Sequence, residues 1–178
     1  DKLSTGRIRL IAVMANFSFD IVSELDKSEL NNVFDQTARE ITSRYDFKNS
    51  PAAIEWLNEQ RTGFKLTGNS DYQIEAILDI IRKKLSIRGL SQFLIDATKD
   101  RLTTNLKVVL EVPFKQGLDQ AKTKHLSALI RENLPKLKSV IQGETLRLSG
   151  PSKNDLQSAM TLIKQQDLDY PVQFINYR

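Results

Sequence analysis

The sequence predicts an α+β protein: a tandem duplication of two βαββαβ domains, each an antiparallel four-stranded sheet with both helices on one face. Three observations lead there. "FKLTGNSDYQI" at 64–74 returns 82 residues later as "LRLSGPSKNDL" at 146–156, with Leu66, Gly68 and Ser70 repeated as Leu148, Gly150 and Ser152. Around each copy, stretches of period-two alternation and stretches of helical spacing follow in the same order. The 178 residues are 40% apolar and contain no cysteine, so a packed core and not a disulfide framework must hold the fold.

In the first copy, "NFSFDIVS" sets Phe17, Phe19 and Ile21 against Ser18 and Asp20, the pattern of a half-buried strand. Leu30, Val33, Phe34, Thr37 and Ile41 then recur at helical spacing, with Asp26 and Glu29 placed to cap that helix. "AAIEWLNEQRTGFKLTG" reads as two strands joined by a polar turn, with Ile54 and Trp56 on one face and Phe64 and Leu66 on one face of the next. A helix carrying Ile74, Ile77, Leu78, Ile81 and Leu85 follows and ends at Gly89, and "SQFLIDA" closes the unit as a short strand. The second copy repeats the order: "NLKVVLEVPF", a helix over residues 117–133, "KLKSVIQG", "ETLRLSG", a helix from Ser152, and "VQFINY". This βαββαβ order is the ferredoxin-like topology, whose second sheet face stays open. The domain boundaries are therefore 14–100 and 101–178, with residues 1–13 a disordered leader outside both.

Composition excludes several functions. No apolar run reaches the roughly 18 to 20 residues of a membrane span, Leu10 to Met14 included, and with the absence of cysteine this predicts a cytoplasmic protein. Residues 101–178 carry 12 basic against 7 acidic residues, while residues 14–100 carry 11 against 14, so an anionic partner would favour the second half. "GFKLTGNS" has two glycines at phosphate-loop spacing but lacks the lysine and reads as a strand. His125, the one histidine, borders the stripe of Leu118, Ala121 and Leu129 and reads as a partly exposed structural residue. With no thiol and one histidine, metal sites and histidine relays lack parts, so no enzyme, cofactor or metal is expected. Trp56 reads as core.

The repeated phrase has a capping-box form, Ser70 with Gln73 and Ser152 with Asp155, and each glycine lets the chain turn out of its strand. A helix start flanked by cations can also take a phosphate. Arg147 and Lys153 flank the second corner, whereas Lys65 and Asp71 flank the first. The anion is therefore expected at Lys115, Gln116, Gly117, Arg147, Ser152, Lys153 and Arg178. Arg44, Asp46, Lys48 and Asn49 in "SRYDFKN" are the second choice, with Arg44 pairing Asp46 as their structural reading.

"SFDIVSE", "SRYDFKN", "FKQG", "IQGETLRLSG" with "SKNDLQ", and "QFINYR" together resemble the YajQ family of bacterial nucleotide-binding proteins, from Met14 to Arg178. The resemblance implies exchange of the first strands between the two domains and a non-enzymatic role in binding a purine nucleotide or cyclic dinucleotide. In some members it implies action as a cyclic di-GMP effector through a regulatory protein or nucleic-acid partner. Pro151, Asp169-Tyr170 and Tyr177 depart from the family pattern. Two alternatives stay open beside it: an RNA- or tRNA-associated module with incidental nucleotide binding, and a hydrolase with an unrecognised site.

Overall fold

The computed structural model describes residues 16–178; the expected leader lies outside them. In chain order the elements are β1 (Phe17–Val22), α1 (Lys27–Ser43), β2 (Ala53–Trp56), β3 (Gly63–Gly68), α2 (Asp71–Ile87), β4 (Leu102–Thr103), β5 (Val108–Pro113), α3 (Gln120–Asn133), β6 (Lys138–Gln142), β7 (Thr145–Gly150), α4 (Lys153–Lys164) and β8 (Gln173–Ile175). They form two four-stranded antiparallel sheets, ordered β6-β7-β1-β8 and β2-β3-β5-β4.

β1, from the first sequence half, therefore sits in the middle of a sheet otherwise made of second-half strands, and β5, from the second half, sits in the middle of the sheet that holds β2, β3 and β4. β1 pairs with β7 and β8, and β5 pairs with β3 and β4. The compact units are accordingly not contiguous. Of the described residues, the first unit gathers 16–24 with Gly117–Leu168 and Val172–Arg178; the second gathers Leu25–Gln116 and Asp169–Pro171.

In the first unit, Phe19 and Ile21 on β1 lie opposite Leu148 and Leu146 on β7, and all four are fully buried. Leu126 and Ile130 of α3 and Leu156, Ala159 and Ile163 of α4 are buried with them. Burying one leucine or isoleucine side chain contributes about 1.5–3 kcal/mol, so this alternation dictates which sheet face meets the helices. Gly143, at φ +61, makes the two-residue β6–β7 turn, a conformation glycine reaches without steric cost. In the second unit, Ile54 and Trp56 face Leu66 and Phe64 across β2 and β3, and α2 buries Ile74, Ile77, Leu78, Ile81 and Leu85. Asp26 caps α1, accepting from the Glu29 N–H at 3.1 Å.

The sequence reading is corrected at four places. "SQFLIDA" is not a strand: Ser91 accepts from Phe93 N–H and starts a single 3-10 turn over Gln92–Leu94, leaving one bridge from Ile95 to Phe114. The fourth strand of that sheet is β4 instead. The helix expected from residue 117 starts at Gln120, because Asp119 caps it by accepting from Lys122 N–H and Gly117 turns the chain at φ +81. Ala121 is exposed and Leu129 only half-buried, since the buried stripe of α3 is Thr123, Leu126 and Ile130, with the exposed His125 beside it. Gly68 and Gly150 are not needed for a sharp turn; a Cβ there would come within 2.9 Å of Gln73 and 2.6 Å of Leu137.

Candidate functional site

β8 and the residues after it carry the feature that shapes the site. Asp20 lies opposite Ile175, yet Ser18 exchanges both backbone hydrogen bonds with Arg178, at 3.1 and 3.0 Å. One residue more than regular pairing allows therefore lies between those two points, which is a β-bulge. Asn176 absorbs it at φ +56, a conformation asparagine tolerates better than most residues. The bulge breaks the alternation of "FINY": Asn176 donates to Asp20 on the open face at 2.9 Å, and Tyr177 turns to the helix face. There its ring stacks on Phe19 at 6.1 Å and its hydroxyl meets the Met160 sulfur at 3.5 Å.

A cavity of about 270 Å³ opens beside this ring. Phe17, Ser18, Tyr177 and Arg178 line one side, and Lys153, Leu156, Gln157 and Met160 of α4 line the other. The Lys153 ammonium lies 5.0 Å from the centre of the Phe17 ring, and Tyr177 is 60% exposed. Aromatic faces and cations thus share one small opening, a pairing that suits a planar group bearing negative charge. Ser152 caps α4 by accepting from Asp155 N–H at 3.4 Å, so its hydroxyl already serves the helix start.

The first-choice residues divide. Lys153 and Arg178 meet at the cavity, with Ser152 next to Lys153 in sequence. Arg147 is on the open face of the same sheet, where Nε and Nη2 donate to Asp20 Oδ1 and Oδ2 at 2.8 and 3.3 Å. Asp20 is only 4% exposed. The Arg147 hydrogen bond holds its carboxyl below the ordinary carboxylate range; burial pushes the other way, and Asn176 adds to the lowering. Arg147 is thus committed to a buried carboxylate. Lys115 and Gln116 belong to the second unit, where Lys115 pairs with Asp169 at 3.2 Å, so the family departure at Asp169 supplies that lysine with a partner. Gly117 donates its N–H to Ser23 O at 3.2 Å.

The second-choice group is tied to itself. Arg44 donates twice to Asp46, at 3.0 and 2.7 Å, and lies 4.7 Å from the Phe47 ring centre; this pairing lowers the Asp46 pKa. Lys48 lies over Tyr45, and Asn49 turns the chain at φ +57. Among the described residues no cluster of three or more histidines and carboxylates is placed to hold a metal. No described helix is long and apolar enough to cross a membrane. Tyr177 escaped the sequence reading of the site because strict alternation puts it on the open face; an asparagine inside a strand pattern was the available sign of a bulge.

Two four-stranded antiparallel sheets and four helices, with an aromatic and cationic cavity beside one sheet, define an α+β protein with a candidate ligand site. The chain belongs to the family described as nucleotide-binding protein YajQ-like, which it matches over residues 17–178. A protein of Nocardioides sp. named "Nucleotide-binding protein" is 41% identical over 166 residues, covering 93% of this chain and 100% of that protein. Proteins of the same name from Yersinia pestis and Yersinia pseudotuberculosis are 37% identical over 161 residues, covering 90% of this chain and 98% of theirs.

Proposed function

We propose that the protein binds a nucleotide without transforming it, and that the cavity at Phe17, Lys153, Tyr177 and Arg178 receives it. The observation that carries this is the meeting of two rings and two cations at one opening. The base stacks against Tyr177, and Lys153 and Arg178 take the phosphate through charge-assisted hydrogen bonds. Names given to relatives support the ligand class. A volume of about 270 Å³ lies near the low end for ligand pockets and suits one base with its sugar phosphate. A cyclic dinucleotide such as cyclic di-GMP therefore seats one of its halves here and leaves the other outside, where a regulatory protein or nucleic-acid partner can meet it. The protein acts in the cytoplasm.

Calorimetric titration of the full chain with GTP, ATP, cyclic di-GMP and a short single-stranded RNA tests this reading. A nucleotide is expected to bind, and Tyr177→Ala and Lys153→Ala each to weaken it by about tenfold or more. Unchanged affinity in both variants removes the site. RNA binding tighter than every nucleotide replaces the reading with an RNA-associated module.

A further inference from the structure

The turn from β2 to β3, residues 57–62, is built around an arginine in an uncommon backbone state. Asn58 O accepts from Arg61 N–H at 3.1 Å, and the Asn58 amide ties to Thr62 N and Oγ1 at 3.0 and 2.7 Å. Arg61 then sits at φ +56, where hairpins of this kind usually place glycine. Its side chain is held in turn: the guanidinium carbon lies 4.8 Å from the Trp56 ring centre, and Nη1 donates to Asn31 Oδ1 at 2.8 Å. Phe34 also stacks on Trp56 at 4.7 Å with the rings 15° apart.

Beside this stack is a cavity of about 200 Å³ lined by Lys27, Asn31, Trp56, Glu59, Gln60 and Arg61, with Leu30 beneath. Neither Lys27 nor Arg61 forms an ion pair among the described residues. Glu59 is the single acid on the lining, so positive charge outweighs negative there. A guanidinium fixed in place by its neighbours, a second cation and two side-chain amides around a small opening are the parts of an oxyanion site.

We propose that this hairpin pocket is a second binding site, independent of the Tyr177 cavity, for the phosphate group of a small phosphorylated compound. Arg61 and Lys27 hold the charge, Asn31 keeps the guanidinium aimed, and Gln60 donates to a remaining oxygen. The volume admits phosphate with a short carbon chain and excludes a whole nucleotide.

Trp56 is the only tryptophan of the chain, so its fluorescence reports on this pocket alone. Titration of the full chain with inorganic phosphate is expected to give a saturable change in that signal, with glycerol phosphate acting alike and AMP more weakly. Arg61→Gly and Lys27→Gln should each weaken the response about tenfold or more. Arg61→Gly should shift the melting temperature little, because relief of the positive φ offsets the lost Trp56 stack and Asn31 bond. Lys153→Ala should leave the Trp56 response intact. The site is overturned by an absent or non-saturable response, or by equal responses in wild type and both variants. A lower melting temperature in Arg61→Gly with the response retained makes Arg61 a packing residue only. Tighter binding of AMP than of phosphate overturns the small-ligand assignment, and loss of the response in Lys153→Ala overturns the independence of the two sites.

Discussion

Phe17 faces Gly150 in one sheet and Val108 faces Gly68 in the other, and each glycine leads through a serine cap into a helix. Lys153 and Gln157 on α4 occupy the places that Asp71 and Glu75 hold on α2. In the first unit those side chains line the cavity with Phe17 and Tyr177. In the second, Arg101 donates to Asp71 at 2.8 Å and also to Glu75, so the chain supplies its own cation to an acidic helix start. The same corner is closed by an ion pair in one unit and lines an open cavity in the other. The open faces differ as well. Asp20 and Arg147 stand opposite one another and form a bidentate pair around a buried carboxylate, whereas the matching Glu111 stands opposite Lys65 but pairs with Lys99 at 3.5 Å near the surface.

The largest expected effect concerns what each unit borrows. Residues 14–100 alone lack β5, the central partner of β3, so this fragment should unfold without cooperativity in urea and expose an unpaired sheet edge. A cooperative transition in the fragment would break the two-unit description. Next, Asp20→Asn should cost about 1.5–3 kcal/mol in urea unfolding, the range for a hydrogen bond to a charged group, while Glu111→Gln leaves the midpoint where it was. The pH dependence sharpens this. A carboxylate whose folded pKa is depressed contributes stability that is present above its unfolded value, near 3.9, and is lost as pH falls through the folded value. The gap between wild type and Asp20→Asn should therefore be steady above about pH 5 and close progressively below about pH 4. A gap that widens on acidification would reverse the assignment.

A smaller loss, about 1–2 kcal/mol, is expected for Asn176→Val, because a β-branched residue is forced to positive φ and the bond to Asp20 is removed. Asn176→Gly should keep the bulge and the nucleotide affinity. Equal nucleotide affinity in both variants would mean that the bulge does not set the Tyr177 ring. The smallest effect is expected for Arg101→Ala, about 0.5–1 kcal/mol for an exposed ion pair, with no nucleotide affinity gained at an acidic corner.

Local rules made most of this molecule readable. Alternation placed Phe19, Ile21, Phe64 and Leu66 inward, helical spacing placed Ile74 to Leu85 in the core, and the two serine caps fall where the repeated phrase put them. The rest depends on partners far away in sequence. Nothing in "SFDIVSE" as a local pattern says that β1 lies between β7 and β8; only the family resemblance implied it. The strand expected at "SQFLIDA" gave way to turn chemistry at Ser91 and Asp96, each of which accepts from a backbone N–H two residues on. At the candidate site, Lys153 was legible as charge beside a helix start and Arg178 as a cation at the end of the sequence. The ring that completes the cavity was not, because one inserted residue at Asn176 reverses the face of everything after it.

The exchanged strand also has a consequence in time. Asp20 and Arg147 are 127 residues apart, so β1 leaves the ribosome long before its neighbours exist. At roughly 5–20 residues per second, translation takes about 6–25 seconds to deliver them. Throughout that interval Phe19 and Ile21 have no native sheet to enter. The earliest of the described strands to be made is thus among the last to be placed.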